Sequence, residues 1–175
     1  MRNNRIPFLI VFCLCWQLSF AQHHLLDQFD VKQYILDLNI SNTSTIVSGN
    51  VTMNAVVAAQ VMDTASIELI DSITATSYMI VDSVWFNGSP ADFSHTDWLV
   101  KIPLVSPVLQ GDLFSLQVFY HGNGSGCAQS LTNGINKKTY EGKIHVFTTS
   151  QPFYSKFWWP CKDVMTDKAD SLTFI

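Results

Sequence analysis

The chain has 175 residues, of which 14% are charged and 47% hydrophobic, and its formal net charge is −4 at neutral pH. An acidic balance with no basic patch or polybasic tail argues against a nucleic-acid binder. So apolar a composition suits a module that docks on a larger partner domain.

Arg2 and Arg5 precede an apolar run from Phe8 to Trp16, too short to span a bilayer. Ser19-Phe20-Ala21 ends in the small-x-small pattern that a signal peptidase reads. A leader over residues 1–21, cleavage before Gln22 and a secreted or periplasmic location are therefore expected, with no membrane span after cleavage. Cys13 and Cys15 lie inside the apolar run, which argues against lipidation there. Without the leader, eight basic residues face fourteen acidic ones, a net charge of −6. The remaining residues, 22–175, are enough for one domain with its own core. His23-His24 could bind a metal weakly or form a solvated tail. Of the four cysteines, Cys127 and Cys161 survive cleavage. In an oxidising compartment they can form a disulfide; the alternative is a buried free thiol at Cys161 and an incidental Cys127.

Period-two patterning follows. Tyr34, Leu36, Leu38 and Ile40 alternate with polar residues, as do Val51, Met53, Ala55 and Val57, and later Phe114, Leu116, Val118 and Tyr120. These are half-buried antiparallel strands, the first two joined through Asn42-Thr-Ser-Thr. Ser66 to Ile70 predicts a short strand, although Met62 to Leu69 is also the nearest approach to a helical pattern. Tyr78 to Phe86 predicts a longer strand closed by a tight turn at Asn87-Gly88. Phe93 begins the return, and Trp98 to Leu104 forms the next strand, which Pro103 and Pro107 end at an edge. Gln110-Gly-Asp112 is a further turn. Gly122 to Gly142 reads as a long loop, and Lys143 to Thr149 returns to strand character. The architecture is all-β, a sandwich or strongly bent antiparallel sheet.

The last forty residues carry the most information. Phe157, Trp158 and Trp159 stand in a row before Pro160 and Cys161, and such a cluster must be buried against something. No His-Glu-x-x-His, Gly-x-Ser-x-Gly or phosphate-binding glycine loop is present, and no catalytic or metal-ligating residue is assigned. On residue patterns alone, a free-standing secreted β-sandwich that binds peptide or carbohydrate through its aromatics remains the alternative.

Gly134 to Pro152, followed by Phe157-Trp-Trp-Pro-Cys-Lys-Asp163 and Asp167-Lys-Ala-Asp170, resembles the N-terminal domain of the aminopeptidase N family of zinc metallopeptidases. Asp30 to Leu38 and Val47-Ser-Gly-Asn-Val51 are similar to the family's opening hairpin. The resemblance implies a saddle-shaped antiparallel β domain leaning on a thermolysin-like catalytic domain, which holds the zinc and lies outside this chain. It implies that the sequence is a partial chain, inactive alone, of a zinc aminopeptidase that acts on peptide N-termini. It places Gln151 at the position of the family's Glu or Gln that lines the pocket for the substrate's free amine; the rival reading is a strand-end residue bonding backbone. It assigns Phe157, Trp158, Trp159 and Pro160 to packing at the domain junction. Asp163 and Lys168 are available to pair or cap locally. Asn136 and Lys156 depart from the family's usual Tyr and Arg.

Overall fold

The structure is a computed structural model that describes residues 25–125 and 134–175. The leader expected over residues 1–21, His23-His24 and Cys127 lie outside the described residues. What is described is all-β, with one short 3-10 turn at Ser155–Phe157.

Three sheets form. The largest orders its strands β12-β1-β2-β9-β5-β4, with β6 attached to β5. Here β1 is Phe29–Ile40, β2 Ile46–Val57, β4 Ser72–Thr74, β5 Ser77–Phe86, β6 Ser89–Ala91, β9 Leu113–Asn123 and β12 Ser171–Phe174. A second sheet holds β3 (Val61–Glu68), β8 (Leu99–Leu109) and β7 (Ser94–Thr96) in the order β3-β8-β7. A separate hairpin pairs β10 (Ile135–Tyr140) with β11 (Lys143–Thr148). Pairing is antiparallel everywhere except β1 with β12, which run parallel.

The alternating residues of β2 and β9 form the floor of the core. Val51, Met53, Ala55 and Val57 are buried, and so are Phe114, Leu116, Val118 and Tyr120. Burying a side chain of this size contributes roughly 1.5–3 kcal/mol, which makes these two strands the main apolar anchor. Ala65, Ile67, Val100 and Ile102 from the second sheet join the same cluster, so one core lies between the two sheets.

Two features break the simple alternation. In β1 the register shifts between Val31 and Gln33, so Phe29 and Val31 are buried in one phase and Tyr34 and Leu36 in the next. In β3 the buried residues Ala65, Ser66 and Ile67 are consecutive, which is why this segment reads as partly helical in sequence. It is a strand, and it begins at Val61, earlier than Ser66.

The prolines of β8 act differently from expectation. Met62 pairs with Val108 and Thr64 with Pro103, so residues 104–107 bow out of the ladder. Val105 at the crest is fully exposed. Pro103 and Pro107 flank this bulge; neither has an N–H to donate to a partner strand. The strand therefore continues to Leu109 and does not end at Leu104.

The tight turn at Asn87-Gly88 is present, with φ of 50° and 79°, the backbone of a two-residue hairpin turn. Glu141 and Gly142 repeat it at φ of 49° and 74°. That second turn makes a hairpin of the segment expected to belong to a long loop.

Gly122 lies where β9 passes β5. A Cβ there would sit 2.2 Å from the Tyr78 carbonyl oxygen, so only glycine lets the strands approach this closely.

Candidate functional site

The segment from Ser150 to Asp167 is a strap laid across the ends of both sheets. Its aromatic run is shared out among three neighbours. Phe157 packs edge-on against Trp98 at 5.8 Å and Tyr154 at 5.3 Å. The Trp158 indole Nε1–H donates to Ser150 Oγ at 3.0 Å, while its carbonyl accepts from the Tyr120 hydroxyl at 2.9 Å. Trp159 stands edge-on to Tyr34 at 5.1 Å. Phe157, Trp158, Pro160 and Cys161 are buried in this chain's own core and Trp159 is half-buried. The packing seen for the four residues expected at a domain junction is thus internal, because β1, β9 and the Trp98 turn already supply their neighbours.

Two ion pairs fasten the strap. Glu68, at the end of β3, exchanges backbone hydrogen bonds with Cys161, accepts from Lys156 Nζ at 2.6 Å through Oε1, and accepts from the Asp163 backbone N–H at 2.9 Å through Oε2. Lys162 Nζ donates to Asp167 and to the Phe29 carbonyl, and lies 4.9 Å above the Phe29 ring. The Lys162 backbone N–H donates to the Tyr34 hydroxyl at 2.8 Å. The pairs that form are thus Lys156–Glu68 and Lys162–Asp167, not Asp163 with Lys168.

Burial controls the chemistry of this strap. It pushes the Cys161 thiol and the Tyr34 phenol well above their ordinary ranges, so both remain protonated at neutral pH. Burial raises the Asp163 carboxyl as well; Lys156 opposes the rise and the nearby Glu68 charge adds to it. Asp163 Oδ2 is enclosed and accepts no hydrogen bond. Cys161 is a buried free thiol; Cys127, with which a disulfide was one expectation, lies outside the described residues.

Gln151 occupies the exposed corner of a turn at the head of the strap. The Tyr154 N–H donates to the Ser150 carbonyl at 3.2 Å, closing that turn, and the Gln151-Pro152 peptide bond is cis. Gln151, Pro152 and Phe153 all face solvent. Among the described residues none hydrogen-bonds the Gln151 side-chain amide, which is exposed to solvent. Phe153, two residues on, lines a cleft of about 600 Å³ whose walls include Lys156, Trp98, Asp97, Asp163 and Met165. Asp97 and Trp98 enter it from a turn with φ of 53° and 62°, which bulky side chains rarely adopt. A second groove of about 730 Å³ lies at the β8 bulge, away from the strap.

Among the described residues no three His, Cys, Asp or Glu side chains come together in a way that could hold a metal ion. A zinc site does not fit them. No helix of the described residues is long and apolar enough to cross a membrane.

Sequence reasoning singled out the aromatic run as buried but missed Glu68, which holds it. The available signal was thin: Glu68 and Glu141 are the two glutamates of the whole chain, and Glu68 directly follows the apolar Ile67 and precedes Leu69 and Ile70.

No protein-family profile and no curated protein matches this sequence. Solved structures do match. The M1 zinc metallopeptidase from Deinococcus radiodurans aligns at 20% identity and a TM-score of 0.64, over 84% of this chain and 31% of that one. A mutant of the same enzyme bound to a Tyr-Ser-Ala substrate gives the same values. Native leukotriene A4 hydrolase from Saccharomyces cerevisiae aligns at 20% identity and a TM-score of 0.62, over 85% of this chain and 23% of that one. The chain spans a third or less of the length of these structures. What they share with it is its all-β architecture: the chain has the fold of the N-terminal domain of the M1 zinc metallopeptidases.

Proposed function

We propose that this chain is the substrate-recognising and scaffold domain of an exported zinc aminopeptidase, whose metal and catalytic groups reside in a partner domain of thermolysin-like kind. The observation that carries the reading is Gln151: an unengaged amide at the exposed corner of a turn held by Ser150 and Trp158. Its side-chain carbonyl accepts hydrogen bonds from the α-ammonium group of a peptide and so selects chain ends. A neutral amide holds that cation less strongly than a carboxylate does. The zinc of the partner domain supplies an activated water; this chain supplies position. The fold shared with M1 metallopeptidases supports the pairing, as does the share of those chains that this one spans.

The test is kinetic, in the peptidase that contains this domain. Gln151→Ala is expected to raise KM for aminoacyl substrates about tenfold with kcat little changed, the loss of roughly one hydrogen bond to a charged group. Gln151→Glu is expected to lower KM. Unchanged kinetics in both variants remove Gln151 from the site.

A further inference from the structure

The β10–β11 hairpin departs from the rest of the domain in charge. Lys137, Lys138 and Lys143 are three of the eight lysines that follow the expected leader, and they sit within a single hairpin that bears one acidic residue, Glu141. The remainder of residues 22–175 has five lysines and thirteen carboxylates, a net charge of −8. Among the described residues none of the three hairpin lysines has an ion pair, whereas Lys32, Lys156 and Lys162 all do.

The register decides which side chains share a face. Lys138 pairs with His145, Tyr140 with Lys143 and Asn136 with Phe147, so these six lie on one side of the hairpin. Lys138, Tyr140, Lys143, His145 and Phe147 are exposed, and the Tyr140 and His145 rings lie 6.5 Å apart. Lys138 and Lys143 lie diagonally across the ladder on this face, with no carboxylate among the six. The exposed rings of Tyr140 and Phe147 on the same face offer a ligand apolar contact. The hairpin then runs without interruption into Gln151. From His145 to Gln151 is six residues, at most about 20 Å of extended chain.

We infer that this face binds the carboxylate side chains of an acidic peptide, so that the substrates of the proposed peptidase carry Asp or Glu roughly four to six residues after the free N-terminus. The inference rests on the reading of Gln151 given above. A nucleic acid is the poorer occupant, because its continuous phosphate charge would lie along a domain that is otherwise strongly negative. A short acidic peptide need touch only the hairpin.

The experiment uses the isotope-labelled chain itself and the peptides Ala-Ala-Ala-Glu-Glu-Glu and Ala-Ala-Ala-Gln-Gln-Gln. Backbone amide shifts of Lys138, Tyr140, His145 and Phe147 are followed, with the Trp158 indole signal reporting the intact fold. The acidic peptide is expected to saturate these shifts at least about tenfold more tightly than its glutamine counterpart, and the difference to vanish near 1 M salt. Lys138→Gln with Lys143→Gln is expected to weaken binding about fivefold or more. Equal binding of the two peptides, no saturation by about 10 mM, or displacement of the peptide by a single-stranded oligonucleotide overturns the inference. These results are independent of the Gln151 kinetics. If Gln151→Ala raises KM while the peptides bind alike, the N-terminus reading stands and the hairpin reading falls.

Discussion

Replacing Lys156 by Met tests how the strap is held. The methionine keeps most of the apolar stem and removes the charge. Lys156 and Glu68 meet at 2.6 Å with side chains only 16% and 15% exposed, so this pair is far from a surface salt bridge. Removing one member of a buried pair costs about 3–5 kcal/mol, because the other charge is left without compensation. Two features reduce the figure here. Water reaches the small exposed fraction, and Glu68 Oε2 still accepts from the Asp163 N–H. The expected loss is about 2–4 kcal/mol. That is a large part of the 5–15 kcal/mol typical of a domain. Adding Glu68→Gln should recover most of it, since the stranded carboxylate is then neutral. Urea unfolding followed by tryptophan fluorescence measures both, because Trp158 and Trp159 sit in the segment being released. A loss below about 0.5 kcal/mol would place the pair with exposed ones. A double variant as unstable as the sum of the singles would show that the charge on Glu68 is not the cause.

Other perturbations follow the same geometry. Gly122→Ala places a Cβ 2.2 Å from the Tyr78 carbonyl, so β5 and β9 must part; thermal unfolding should show a loss of about 1–3 kcal/mol. Tyr34→Phe leaves the half-buried Lys162 N–H without its acceptor and should cost about 1–2 kcal/mol in denaturant unfolding, whereas an effect near zero would mean water replaces the phenol. Asp163 binds its proton more readily in the folded chain than when unfolded, so its ionisation opposes folding at neutral pH. As pH falls through its raised folded value, the wild type should gain stability relative to Asp163→Asn, and a difference between the two that is flat with pH refutes the burial argument.

How far the sequence alone could go is set by the range of each interaction. The phases of β2 and β9 are legible because every second residue from Val51 to Val57 and from Phe114 to Tyr120 faces one core, and that pattern is local. The bulge in β1 is not legible, since Phe29 and Val31 obey the same rule as Tyr34 and Leu36 in the opposite phase, and only the pairing with β2 shows the shift. The first strand of the hairpin, Ile135–Tyr140, reads as loop because Lys137 and Lys138 suppress the hydrophobic alternation that marks strands, whereas Lys143 to Thr149 keeps it. The same polarity gives it a candidate role.

The aromatic run shows where a correct local inference needs a tertiary fact to complete it. Three consecutive aromatics require burial, and burial is what they have. Nothing in the sequence shows that Trp98 turns back to cover Phe157, or that Tyr34 reaches Trp159. Their burial therefore says nothing about a neighbouring domain. Around the strap the outward-facing groups include Gln151 and Phe153 at the turn, Trp98 and Met165 across the cleft, and the basic face of the hairpin. A partner or substrate has to be sought at these surfaces, and the strap, fixed from behind by Glu68 and Lys162, is what holds Gln151 among them.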